Sequence, residues 1–158
     1  KLYTLYMIGI AVRKQANQDA ADSSNPLGRV LKVGKDNFDK DIDTLELKLA
    51  EAIMAERPAI DSGIGFIKII SVIAPLAGLL GTVTGMIVTF QMITLYGTGD
   101  PKLMAGGISQ ALVTTVLGLL VAIPTSLLHS FTQSSARGII SILEEQSTGI
   151  LAERAESK

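Results

Sequence analysis

Two stretches of this chain combine hydroxyl and amide side chains with a complete lack of charge. No charged residue lies between Lys68 and Asp100, and none lies between Lys102 and Arg137. In the first stretch Gly78, Thr82, Gly85 and Thr89 follow helical spacing, and Gly81 with Gly85 makes a GxxxG. In the second, Gln110, Thr114, Gly118 and Ala122 repeat at every fourth residue, with Ala111 and Thr115 beside them. Small residues at this spacing most often mean close helix packing. Hydroxyls and an amide in an apolar run go beyond packing. A Thr hydroxyl can return its proton to a backbone carbonyl one turn back, so it is cheap in lipid. A Gln amide, with two N–H donors and one acceptor, cannot hide that way. Gln110 is therefore expected to face protein or a water-filled cavity, and is the leading functional candidate.

Other chemistry is scarce. The chain has no Cys, which removes disulfides, thiolate nucleophiles and Cys-based metal sites. His129 is the only His. It stands at the end of an apolar run and reads as an interfacial residue rather than a ligand or proton relay. There is no P-loop, HExxH, GxSxG or paired intramembrane Asp. Glu51, Glu56 and Asp61 read as a solvated helix face, without the isolation expected of acid–base catalysts. No enzyme, metal or cofactor is expected. The formal net charge of −1 gives no reason to expect a nucleic-acid partner.

The elements that carry these residues follow from the hydropathy pattern. Mean hydropathy is +0.40, and it is concentrated in the two charge-free runs. Each is longer than the ~20 residues that cross a bilayer core. Residues 64–95 form the first expected span. At ~1.5 Å per residue it is roughly 48 Å long, so its start near Phe66 and Lys68 projects from the membrane. Residues 96–101 (YGTGDP) read as a turn. Residues 103–131 form the second span, with Pro124 inside it, tolerable where neighbours satisfy the freed carbonyl. Beyond Arg137 the helix is expected to continue into water as an amphipathic segment through Ile139, Ile140, Leu143 and Ile150. Trp is absent, and Tyr96 and Phe131 are the modest interfacial candidates.

Upstream, residues 1–12 are apolar but too short to span alone. They read either as a helix near the membrane surface or as the tail of a membrane helix that begins before Lys1. Asn25 is placed to cap a short helix, Pro26–Val33, with Pro26 at its first position and Gly34 as its stop. Phe38, Ile42, Leu45, Leu49 and Ile53 recur at helical intervals. Arg57-Pro58 predicts a kink or break, with Asp61 and Ser62 capping the helix that starts after them. Ten Lys and Arg fall in residues 1–68, one in the turn and three after residue 136. The positive-inside rule then puts both ends in the cytoplasm and the turn 96–102 in the periplasm. The expected fold is all-α: an integral membrane protein with long transmembrane helices extending into the cytoplasm. Residues 1–63 form a cytoplasmic helical region, 64–136 a transmembrane hairpin, and 137–158 a cytoplasmic C-terminal helix.

Two blocks carry a family resemblance. Ala74-Pro75-Leu76-x-Gly78-Leu79-Leu80-Gly81-Thr82-Val83-x-Gly85-Met86 is followed by Gly107-Ile108-x-x-Ala111-Leu112-x-x-Thr115-x-x-Gly118-Leu119-x-x-Ala122-Ile123-Pro124. With Asn25-Pro26-Leu27-Gly28-Arg29-Val30-Leu31 upstream, the chain resembles the MotA/TolQ/ExbB proton-channel family, on its ExbB/TolQ side. The resemblance is strong over residues 64–130 and weaker over 25–63. It implies three membrane helices, of which the second and third are present here and the first precedes Lys1. It also implies a pentameric ring around the membrane helices of an ExbD/TolR-like partner whose aspartate carries the proton. Such a complex uses the proton-motive force to drive TonB-dependent import, or TolA-linked envelope maintenance, from the bacterial inner membrane. By the same resemblance Thr82 and Thr115 line the pore, with Thr89, Thr114 and Gln110 beside them, and membrane lipids are among the chain's partners. Gly78, Gly81, Gly85, Gly118, Ala122 and Pro124 serve helix packing.

One residue departs from the pattern. Relatives usually carry Glu at the position of Gln110, and Gln cannot ionise. Either that Glu is not the essential proton carrier, or this chain belongs to a divergent branch, for which the TtpC type of ExbB is a candidate. A non-conducting membrane scaffold is the competing reading from another class. A MotA-type stator fits less well, because the region between spans lacks a large charged domain.

Overall fold

The computed structural model describes residues 2–16, 23–97 and 101–157. It is all-α, with no strand among the described residues. The elements are α1 (Leu2–Ala16), α2 (Pro26–Asp36), α3 (Ile42–Asp61), α4 (Ile64–Tyr96) and α5 (Pro101–Glu156). They fall into two compact units, one from residues 1–64 with 131–158, the other from residues 65–130.

The first unit has an ordinary apolar core. Leu5 and Val12 of α1, Leu27 and Val30 of α2, and Leu45 and Leu49 of α3 are almost fully buried, together with Ile139 and Leu143 of α5. Each large side chain buried in this way contributes about 1.5–3 kcal/mol. The α3 stripe expected from spacing is the face that packs inward. Its start differs: α3 opens after Asp41, whose carboxylate accepts from the Thr44 N–H at 3.0 Å. Phe38 therefore lies outside the helix, where its ring sits 5.7 Å below the Arg154 guanidinium.

Asn25 caps α2 as expected, accepting from the Gly28 N–H at 3.0 Å with Pro26 at the first turn. Gly34 does not stop the helix, which continues to Asp36. A β-carbon at Gly34 would stand 2.7 Å from Ile150 Cδ1 and 3.3 Å from Leu49 Cδ2. This glycine makes room for packing rather than for a turn. Pro58 does not break α3 either. Its missing N–H frees the carbonyl of Met54, an exposed residue, and water can satisfy it. Asp61 and Ser62 close α3 instead of opening α4: the Ser62 N–H donates to the Pro58 carbonyl at 3.0 Å. Gly63 then takes φ +79°, the left-handed conformation that frees the chain for a new helix.

The second unit is an antiparallel pair, α4 against the first part of α5. Both helices are long and apolar enough to cross a membrane. α4 ends where Gly97 turns left-handed at φ +73° and donates to the Ile93 carbonyl at 2.8 Å. Residues 98–100 of the expected turn lie outside the described residues. α5 starts at Pro101, two residues earlier than expected, and runs 56 residues without interruption. It passes through Pro124 and, as the amphipathic pattern predicts, onward beyond Arg137. Beside Pro124, the Thr125 hydroxyl donates to the carbonyls of Val121 and Ala122 at 2.8 and 3.0 Å.

Candidate functional site

The hairpin is closed by small residues. Gly78 and Gly118 form its tightest point. A β-carbon on Gly118 would lie 2.8 Å from the Ala74 carbonyl oxygen and 2.9 Å from Gly78 Cα. One on Gly78 would lie 3.0 Å from the Thr114 carbonyl oxygen. These neighbours are backbone atoms, so nothing can swing aside. Further along, Gly85 receives Ala111, Gly81 receives the Thr114 side chain, and Gly107 receives the Thr89 hydroxyl. Thr89 and Ala111 are buried at 5% and 2% exposure. The periodic glycines of the sequence thus do pack helix to helix, and they do so with each other's stretch.

Apolar side chains point the other way. Leu80, Val83, Val116 and Leu120 are all more than half exposed. In water such a surface is unfavourable by ~25 cal/mol per Å²; in a bilayer it is the natural outer face.

The hydroxyls behave as expected of Thr in lipid. Thr82 donates to the Leu79 carbonyl at 2.6 Å, Thr89 to Gly85 at 2.9 Å and Thr114 to Ala111 at 2.6 Å. Thr115 and Thr114 also approach the Gly78 carbonyl across the seam, each at 3.4 Å, the outer limit of a hydrogen bond. Each of these protons is committed to a backbone oxygen, and the hydroxyl oxygens keep their lone pairs.

Gln110 sits outside the seam and is exposed. Its amide makes no hydrogen bond among the described residues. It lines an open hollow of about 330 Å³, together with Thr114 and the seam residues Gly81, Gly85 and Ala111. Thr84 lines it as well, donating to the Leu80 and Gly81 carbonyls, both at 3.0 Å. Thr82 and Thr115 do not line this hollow, so the candidates divide between two places. Ala122 is buried, Pro124 is exposed and His129 is half-buried. Thr84 is absent from the sequence reading because it lies one residue before Gly85, off the Gly78-Thr82-Gly85-Thr89 stripe. Its position three residues after Gly81 is the signal that would have found it.

The first unit holds a polar contact that composition alone does not reveal. Gln15, at 4% exposure, accepts from the Asn25 side-chain amide, while its own Nε2 has no partner among the described residues. Arg29 makes two hydrogen bonds to Glu56, both at 2.6 Å, and this pair holds the guanidinium more firmly protonated than usual. Among the described residues no group of three His, Asp or Glu is placed to hold a metal ion.

Comparison with known proteins agrees with this geometry. Residues 22–145 match the MotA/TolQ/ExbB proton channel family. An ExbB homolog of Methanothermobacter thermautotrophicus is 34% identical over 121 residues, covering 74% of this chain and 41% of that protein. The biopolymer transport protein exbB1 of Vibrio cholerae is 40% identical over 73 residues, 46% of this chain and 32% of its own length. The biopolymer transport protein ExbB of Aquifex aeolicus is 47% identical over 58 residues, 37% of this chain and 39% of its own. The chain thus spans less than half the length of these relatives. Two apolar helices joined through glycine and threonine, in a chain matched over most of its length, have one reading: it belongs to the MotA/TolQ/ExbB proton channel family.

Proposed function

We propose that this chain is an ExbB-like subunit of a proton-driven motor in the bacterial inner membrane. Five copies ring an ExbD/TolR-like partner and energise TonB-dependent transport across the outer membrane. The observation that carries the reading is the α4–α5 hairpin. Its inner seam is closed by glycine, and large apolar side chains such as Leu80, Val83, Val116 and Leu120 are exposed on its outside, in a chain of this family. A proton crossing the membrane yields ~2.3 kcal/mol per 100 mV. To use it, a partner carboxyl must alternate between neutral and ionised surroundings. Thr82 and Thr115 supply polar positions on its path, and outward apolar neighbours such as Val83 and Val116 disfavour the ionised form by desolvation. Thr89 and Thr114 act through the seam.

A Tol-type envelope motor with a TolA-like protein uses the same parts. A non-conducting scaffold is the second reading, favoured by Gln110, which removes the one intramembrane carboxyl expected of the ring. The test is proton flux through the assembled complex in vesicles, with Thr82→Val and Thr115→Val. Flux in the parent that falls at least severalfold in either variant supports the motor; unchanged flux in both sinks the pore assignment, and no flux in the parent favours the scaffold.

A further inference from the structure

A hollow of about 400 Å³ in the first unit opens between the end of α3 and the part of α5 that follows Phe131. Its charged lining residues are Arg57 and Asp61 of α3 with Arg137 and Glu144 of α5. Arg57 stands 3.1 Å from Glu144, joined through a single guanidinium nitrogen. Asp61 and Arg137 share the hollow but pair neither with each other nor with any other described residue. The side chains of Gln133 and Ser141 also line it, and neither makes a hydrogen bond among the described residues. The four charges sum to zero, yet an unpaired cation and an unpaired anion remain, one on each helix.

The place of the hollow in the chain narrows what it can take. Asp61 stands three residues before Ile64, where the first helix of membrane-spanning length begins. Arg137 closes the charge-free run of α5. Both charges therefore lie where the chain leaves its spans, at the level of lipid headgroups. A headgroup with phosphate alone satisfies Arg137 but turns its excess negative charge on Asp61. A quaternary ammonium has no N–H and meets Asp61 by charge alone. A phosphate joined to a primary ammonium satisfies both. The phosphate accepts from Arg137 and from the N–H groups of Arg57 that Glu144 leaves free. The ammonium donates to Asp61, and Gln133 and Ser141 supply neutral partners.

We propose that this hollow binds the phosphoethanolamine group of a phosphatidylethanolamine lipid. The inference needs α4 and α5 to span a membrane, and nothing of proton conduction. A bound headgroup bridges Asp61 to Arg137 and so adds a second tie between α3 and α5 beside the Arg57–Glu144 pair.

The test titrates the full chain in detergent with phosphatidylethanolamine, phosphatidylcholine and phosphatidylglycerol of identical short acyl chains. Native mass spectrometry counts the bound lipid. Phosphatidylethanolamine is expected to bind about tenfold tighter than either of the others. Asp61→Asn abolishes that preference and leaves phosphatidylglycerol bound at least as well as before. Arg137→Gln weakens all three severalfold, because all carry the phosphate. Both side chains are exposed, and helix content by circular dichroism checks that each variant folds. Glu145→Ala, on the same helix but outside the hollow, leaves the preference unchanged. Equal binding of the three lipids, a preference that survives Asp61→Asn, or undiminished binding in Arg137→Gln overturns the proposal. Free phosphoethanolamine separates the two sources of this chemistry. If it fails to displace the lipid at equal concentration, the membrane source is supported; if it binds as tightly as the lipid, the lipid assignment is overturned in favour of a soluble compound. Proton flux plays no part in this readout, so the motor reading stands or falls separately.

Discussion

Gly78 and Gly118 touch backbone to backbone across the hairpin, with no room for a methyl group on either. Gly118→Ala is expected to force α4 and α5 apart at a cost of about 1–3 kcal/mol. Gly106→Ala, with nothing within 4 Å of the new methyl, is expected to be neutral or slightly stabilising. Unfolding of both variants in the same detergent checks the difference. Equal stability would show that the seam does not hold the hairpin.

Asn25 has two tasks, accepting from the Gly28 N–H and donating to Gln15. Asn25→Ala removes a cap worth about 0.5–2 kcal/mol and leaves the buried Gln15 oxygen unpaired, which costs about 1–3 kcal/mol more. Asn25→Ser keeps the cap alone. Chemical unfolding followed by circular dichroism is expected to rank the parent above Ser and Ser above Ala. If Ser equals the parent, the Gln15 contact contributes nothing.

Leu143 is fully buried and brings the last part of α5 into the first unit's core. Leu143→Ala is expected to lose about 2–5 kcal/mol. The neighbouring exposed position Glu145 is expected to tolerate Ala within about 0.5 kcal/mol. The same unfolding assay reads both.

Lys48 stands 2.8 Å from Glu51. Its hydrogen bond, and then its charge, hold the Glu51 carboxyl below the usual carboxylate range. The folded value is the lower one, so the pair stabilises above the unfolded carboxylate range near about pH 4.3. That stabilisation is lost as pH falls through the folded value. In Lys48→Met the midpoint of Glu51, read by carbon-13 NMR of the carboxyl, is expected to rise to the ordinary value. An unmoved midpoint refutes the pairing.

Periodicity made the larger features readable. Leu45, Leu49 and Ile53 declare an inward face by spacing alone, and Asn25-Pro26 declares a helix start by stereochemistry. Both are local properties. Gly34 and Pro58 were misleading because their meaning is not local. Gly34 is explained by Ile150, far along the chain, and Pro58 is tolerated because the residue one turn earlier faces outward. Gln15 was invisible for a related reason: only its contact with Asn25 makes a polar side chain buried rather than solvated. At the candidate site, the glycine and threonine stripes were legible as packing faces. That Thr84 rather than Thr82 shares the hollow with Gln110 depends on how α4 is rotated against α5, which spacing does not specify.

The glycine seam also sets the thermal character of the hairpin. Leucine cores like that of the first unit are held by release of water from apolar surface, so their unfolding carries a large positive heat capacity and their stability weakens in the cold. The seam of Gly78, Gly85, Ala111 and Gly118 buries little such surface. In a bilayer it is held by contact attraction, which cooling does not diminish. One polypeptide thus joins two parts with opposite calorimetric signatures. Near freezing, the helices around Leu143 are the ones expected to loosen first, while the α4–α5 pair stays closed.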